Sequence, residues 1–302
     1  MDKPFVSIVL GAYNRHAFLQ STIESVRNNG MDFSYEIIVV DGGSTDGSLK
    51  YLIHQKDVIT IIQHNRGTFH GKPIERRSWG YFMNLGFKCA QGKYICMISD
   101  DCLLIPGAVE NGVNLFEKLL SEGRKIGAMA FYWRNWPVQK DYRVGLTLGD
   151  KMIVNHGLYL RTALTAINWI DEERYRFYHA DGDLCLKLWQ EGYEVVDCPD
   201  AFVEHYFHAN SKVRQSNAEL QKQDWQSYLE RWRGIFYDSI QRNTGGRIYR
   251  AYTDPWHTID KFPHCIKIDD LLRSRIARLK TWILSEVAYI AALRHGRFGR
   301  LK

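Results

Sequence analysis

Continuous apolar runs punctuate the first 130 residues, and each ends on a polar or glycine-rich turn. Residues 5–10 (FVSIVL) run into Gly11-Ala12-Tyr13-Asn14-Arg15, and residues 35–40 (YEIIVV) deliver Asp41. Residues 58–63 (VITIIQ), 94–98 (YICMI, running into Ser99-Asp100-Asp101) and 126–132 (IGAMAFY) repeat the pattern. Runs of this length, without alternation, predict strands buried on both faces of a parallel sheet. Between them the apolar positions fall at helical spacing. Leu19, Ile23 and Val26 precede Gly30, residues 72–91 precede Gly92, and Val113, Phe116 and Leu120 follow Pro106-Gly107. Ser44 or Thr45 can cap a further helix after Gly42-Gly43. Strands alternating with such helices imply an α/β fold, a mainly parallel sheet covered on both faces.

The alternation weakens after Tyr132. Residues 131–143 are aromatic and read as irregular, and Asn155-His156-Gly157 precedes a stretch with helical character. His179-Ala180-Asp181-Gly182-Asp183 leads into a helix over 184–191, followed by short strands at 194–196 and 201–203 on either side of Pro199. From Ser216 the spacing is helical. Trp225, Leu229, Trp232 and Phe236 form one stripe, and Leu272, Ile276, Leu279, Ile283, Val287 and Ile290 form another. The expected organisation is an α/β domain over 1–215 and a C-terminal helical extension over 216–302.

Composition narrows the functional classes. No apolar run is long enough to span a bilayer, the N-terminus shows no signal peptide, and the six cysteines form no C-x-x-C pair. A cytoplasmic protein with reduced thiols is expected. The formal charge of +6 is concentrated. Residues 271–302 carry eight Lys and Arg against the single acid Glu286, more than the whole excess. The rest of the chain is therefore no basic nucleic-acid surface, and no nucleic-acid partner is expected. The basic stripe at 271–293 suits either peripheral contact with the inner face of a membrane or packing on this chain or on a second subunit, as in a homodimer.

The chemistry-bearing residues sit at strand and helix ends: Asp41, Asp100 with Asp101, and Asp181 with Asp183. In open α/β sheets ligands bind at the carboxyl ends of strands. Neither G-x-G-x-x-G nor a P-loop is present. Phosphates would then need a divalent cation, which paired carboxylates can hold. A solvated turn is the plain alternative for Asp100-Asp101, and ordering of the glycine turn is that for Asp41.

The runs SIVLGAYNR, EIIVVDGGSTDGS and GKYICMISDD resemble the N-terminal half of family 2 glycosyltransferases of the GT-A fold, and HADGDLCLKLWQEGYEVVDCPDAFVEH resembles the second half. The resemblance covers about residues 4–211. It implies a metal-dependent, inverting transfer from a nucleotide-diphosphate sugar to a glycan or lipid-linked acceptor. It also implies roles: Asp181 as catalytic base; Gly11, Tyr13, Asp41, Asn84 and Asp100 as donor contacts; Asp101 and His205 as ligands of Mn2+ or Mg2+. His208 competes with His205 for the metal. Trp133, Trp136 and Tyr142 are candidates for stacking on an acceptor sugar. Three positions depart from the family pattern: Ser99 for the first acid of D-x-D, Ala180 for the glutamate before the base, and Met83 for an arginine before Asn84. The Ser99 and Ala180 departures motivate the alternative of an inactive nucleotide-sugar or glycan-binding protein.

Overall fold

The computed structural model describes residues 3–136, 139–206, 220–241 and 244–252. In chain order the first half forms β1 (Val6–Ala12), α1 (His16–Arg27), β2 (Tyr35–Asp41), α2 (Ser48–Leu52), β3 (Val58–Ile62), a small hairpin of β4 (Thr68–Phe69) and β5 (Lys72–Pro73), α3 (Trp79–Cys89), β6 (Tyr94–Met97), β7 (Cys102–Leu104) and α4 (Ala108–Ser121). There follow β8 (Ile126–Trp136), β9 (Tyr142–Leu146), β10 (Met152–Ile153), β11 (Gly157–Leu160), α5 (Arg161–Ala166), α6 (Ala180–Gln190), β12 (Glu194–Tyr206), α7 (Gln221–Trp232) and β13 (Arg247–Arg250).

The expected sheet is present. β3, β2, β1 and β6 pair in parallel, with Ala12 opposite Asp41, so the polar ends of these strands share one edge. The four central apolar residues of β2, Ile37–Val40, are buried, as are the residues of β6. Beyond β6 the sheet is mixed. β11 inserts antiparallel between β6 and β8, and β12 runs parallel to β8. The core divides between the sheet's two faces. One face packs on α1 and α4 through Leu19, Ile23, Val113 and Phe116, the other on α3 and α6 through Phe87, Leu184 and Leu188.

Several elements differ from their sequence reading, each for a local reason. The helix expected over 72–91 starts at Trp79. Lys72–Pro73 instead closes the small hairpin, and the Ser78 hydroxyl caps the helix by accepting from Tyr81 N at 3.0 Å. A proline inside the earlier turns would have removed a helix hydrogen bond. Gly86 is what lets α3 lie on the sheet, since a Cβ there would stand 2.6 Å from Val9 Cγ1. The stretch after Asn155-His156 is first a strand, β11, and only then a short helix. Gly157 at φ 150° makes the insertion feasible, since a Cβ there would meet Met129 O at 2.1 Å. The aromatic stretch 131–143 extends β8 to Trp136 and then supplies the start of β9. The two short strands around Pro199 are one bulged strand, β12, whose register shifts between Cys198 and Phe202. From residue 216 on, α7 is helical as expected, but β13 joins the sheet on β9. The second stripe, 272–290, and His208 lie outside the described residues. Among the described residues no helix is long and apolar enough to cross a membrane.

Candidate active site

The parallel strands end along one side of a cleft of about 790 Å³. It is lined by Gly11 and Tyr13 after β1, by Asp100 and Asp101 after β6, by Asp181 at the start of α6, and by His205 near the end of β12. Elements far apart in the sequence thus bring six of the eight expected site residues to one cavity. Asp41 lies beneath it, and Asn84 is directed elsewhere.

Asp41 is fully buried at the end of β2. Its Oδ1 accepts from the backbone N–H groups of Gly43 and Ser44 at 2.8 and 2.7 Å, which orders the glycine turn. Its Oδ2 is buried with no hydrogen-bond partner among the described residues. A buried carboxylate oxygen without a donor is costly and marks a place where a ligand N–H or O–H would fit. In the cleft wall, the Arg66 guanidinium lies 5.2 Å from the centre of the Tyr13 ring.

Asn84 has a structural role. Its Nδ2 donates to Ile170 O at 2.9 Å and to Glu172 at 2.7 Å, and its Oδ1 accepts from Ile170 N at 3.2 Å. The side chain clamps the 170–172 segment onto α3 and does not line the cleft.

The two acids after β6 are held by Arg15, which the sequence reading passed over as part of a turn. Its Nη1 is 2.6 Å from Asp100 Oδ1 and 2.9 Å from Asp101 Oδ2, and Tyr13 N donates to Asp100 Oδ2 at 3.3 Å. Burial pushes the Asp100 carboxyl above its ordinary range, against the pull of Arg15 and with the neighbouring Asp101 adding to the rise. A second cation close by would relieve this crowding of negative charge.

Asp101 Oδ1 is likewise buried without a hydrogen-bond donor among the described residues, and His205 Nε2 stands 3.6 Å from it. His205 Nδ1 is 2.7 Å from Asn135 Oδ1. Nδ1 is the donor of that bond, which in the neutral ring leaves Nε2 as the basic nitrogen, on the side of Asp101. An imidazole nitrogen and a carboxylate oxygen 3.6 Å apart are donor types that a divalent cation can share. No group of three or more His, Cys, Asp or Glu side chains among the described residues is arranged to hold a metal. An ion held by these two residues would take its other ligands from phosphate oxygens and water, as Mg2+ and Mn2+ do in nucleotide sites. His156, behind this pair, is held neutral: burial drives its imidazole down to about 3, and its ring nitrogens lie 3.7–3.8 Å from Cys102 Sγ.

Asp181 opens α6. Its Oδ1 accepts from Gly182 N at 2.8 Å and its Oδ2 from Asn155 Nδ2 at 2.9 Å. Asn155 in turn accepts from Trp133 Nε1 at 3.2 Å. Asp183 faces the core, where Tyr175, Trp232 and Arg231 surround its Oδ1 at 2.9, 3.0 and 2.8 Å.

Of the three aromatic candidates, only Trp133 lines the cleft. Trp136 packs with Phe18, Leu103 and Tyr206, and Tyr142 bonds through its hydroxyl to the buried Glu204. Asp224 of α7, also missed in the sequence, accepts from the backbone N–H groups of Arg176, Phe177 and Tyr178 at 2.8–2.9 Å. It fixes the loop that forms part of the cleft wall, and nothing in its helical stripe signals that task.

Residues 7–148 match the model of the glycosyl transferase family 2 domain. An uncharacterized glycosyltransferase of Haemophilus influenzae is 22% identical over 240 residues, covering 72% of this chain and 69% of that protein. The putative glycosyltransferase EpsH of Bacillus subtilis is 30% identical over 110 residues, covering 36% of this chain and 30% of that protein. Among solved structures, the mannosyltransferase PcManGT from Pyrobaculum calidifontis, in complex with GDP-Man and Mn2+, superposes with a TM-score of 0.54 at 15% identity, covering 76% of this chain and 65% of that one. The architecture is accordingly the GT-A glycosyltransferase fold.

Proposed function

We propose that this chain, which carries a family 2 glycosyltransferase domain over residues 7–148, transfers a sugar with inversion from a nucleotide-diphosphate donor to a hydroxyl of a glycan or lipid-linked acceptor. The observation that carries the reading is a single cleft holding Tyr13, the Asp100-Asp101 pair, His205 and Asp181, with the unpartnered oxygen of Asp41 beneath it.

Each residue then has a task. Asp41 Oδ2 accepts an N–H of the nucleotide base, which uracil, thymine and guanine can all supply. Tyr13 and the Gly11 backbone wall the nucleotide, and Asp100 lies toward the ribose and diphosphate. Asp101 and His205 would hold Mn2+ or Mg2+, which when bound neutralises charge on the leaving diphosphate. The Mn2+ and GDP-Man of the mannosyltransferase complex support a donor and an ion of this kind. Arg15, bonded to both aspartates, holds the pair aligned. Asp181, oriented by Asn155, takes the proton of the acceptor hydroxyl as that oxygen bonds to the anomeric carbon and the bond from carbon to the diphosphate oxygen breaks. A single displacement, entering on the face opposite the leaving diphosphate, inverts the anomeric centre. We place the reaction on the cytoplasmic side of a membrane, where lipid-linked acceptors would be within reach.

The donor half of this reading has a binding test. Asp41→Asn keeps the Oδ1 acceptor for Gly43 and Ser44 but turns the ligand-facing oxygen into an N–H donor. Calorimetry with UDP and with GDP should show the preferred nucleotide binding about tenfold or more weaker, the loss expected for a hydrogen bond to a charged group. Unchanged affinity for both nucleotides would leave Asp41 as a turn-ordering residue only.

A further inference from the structure

The transferase reading assigns no task to Arg143. It lies on β9, directly opposite Trp133 on β8, and it is 7% exposed. It lines the same cleft as Asp181. Its guanidinium stands over the Trp133 ring, 4.5 Å from the ring centre, and no carboxylate or hydrogen-bond acceptor meets it among the described residues. Arg134, one residue along β8 from Trp133, makes the contrast. Its guanidinium forks onto the buried Glu204 at 2.6–3.0 Å. Arg143 has no such partner, and its charged neighbour is a like charge, Arg247 of β13, which also lines the cleft. Tyr249, paired with Arg143 in the sheet, adds only a phenol.

A nearly buried cation beside a second cation is unfavourable unless something compensates it. The face of Trp133 does so in part. The remainder is open toward the cleft, where a planar guanidinium fork suits a carboxylate or a phosphate. The position also says which substrate. Trp133 Nε1 donates to Asn155 Oδ1 at 3.2 Å, and Asn155 Nδ2 donates to Asp181 Oδ2 at 2.9 Å. Arg143 is thus joined through two side chains to the proposed base, which acts on the acceptor. Asp41, at the nucleotide end, takes no part in that chain of contacts.

We propose that Arg143, backed by Arg247, is an anion-binding subsite for the acceptor, and that the acceptor sugar carries a carboxylate or phosphate near the hydroxyl it offers. The inference rests on the transferase reading for the identity of the acceptor side. It makes Arg143 a specificity-determining residue. Neutral glycans would leave its charge without an anionic partner in the bound complex.

The test is direct binding to the full chain, measured by calorimetry with and without UDP or GDP and Mn2+. Glucuronosyl-β1,4-glucose is compared with cellobiose, and glucose 6-phosphate with glucose. At least one charged sugar should bind about tenfold or more tightly than its neutral counterpart, in line with a charge-assisted pair. The carboxylate and phosphate arms show which anion is preferred. Arg143→Gln should erase the preference and Arg143→Lys should keep part of it, with nucleotide affinity unchanged in both. Equal binding of charged and neutral sugars by the wild-type chain would overturn the proposal, and that comparison is decisive even if a variant does not fold. Persistence of the preference in Arg143→Gln would overturn it too, as would a parallel loss of nucleotide affinity, which would put Arg143 on the donor phosphates. Failure of the wild-type chain to bind any nucleotide would count against the transferase reading instead, and is read separately in the same titrations.

Discussion

Asp181→Asn is expected to lower kcat by about a thousandfold, within the range for loss of a general base, while donor affinity stays nearly unchanged. The reason is positional. Asp181 is partly exposed at the head of α6, with one oxygen on Gly182 N and the other on Asn155. The asparagine keeps shape and one acceptor but cannot take a proton. Asp183, two residues on, gives the control. It is fully buried and engaged with Tyr175, Trp232 and Arg231. Asp183→Asn should therefore cost stability, on the order of 3 kcal/mol for breaking a buried ion pair, with kcat per folded molecule largely retained. Steady-state kinetics beside thermal unfolding separate the two. Loss of donor affinity in Asp181→Asn would move Asp181 to binding. A folded but inactive Asp183→Asn would exchange the two roles.

Asp101→Ala is expected to remove metal-stimulated turnover, a fall of more than about a hundredfold, because a charged ligand is lost that no neighbouring side chain replaces. The protein should stay folded, since Arg15 keeps its 2.6 Å bond to Asp100. Mn2+ binding followed by electron paramagnetic resonance gives a readout apart from activity, and the free-ion signal should persist to concentrations at which the wild-type chain has bound the ion. Equal Mn2+ affinity and equal metal dependence in the variant would reduce the Asp100-Asp101 pair to a turn braced by Arg15.

Much of this arrangement was legible in the sequence because buried parallel strands write themselves as unbroken apolar runs. β1, β2 and β6 were readable within a residue or two, and with them the edge on which Asp41, Asp100 and Asp101 fall; β3 was readable too, although as the outermost strand it leaves Ile59 and Ile62 exposed rather than buried. Sheet insertion was not legible. The run Gly157–Leu160 is apolar and short, and only the space between β6 and β8 makes it a strand. Periodicity also cannot separate Trp133, which reaches the cleft, from Trp136 and Tyr142, which fill the core three and nine positions later. Asn84 shows the limit of a carried-over role. Its position on α3 fits the pattern, but its amide is saturated by Ile170 and Glu172. Arg15 and Arg143 were missed for a different reason. An arginine in a turn or a short polar strand ordinarily faces water, and their partners come from elements 85 and more residues away or, for Arg143, from no carboxylate among the described residues.

The central claim is that the cleft activates a nucleotide sugar. Its most direct test is release of nucleoside diphosphate by the full chain from a panel of UDP-, GDP- and dTDP-sugars, in Mn2+ and in EDTA, without any added acceptor. Slow hydrolysis of one donor class that needs Mn2+, stops in EDTA and is absent in Asp101→Ala is the expected result. Tight donor binding with no release from any sugar, in either condition and with every acceptor tried, would contradict it and leave a nucleotide-sugar binder in a glycosyltransferase fold.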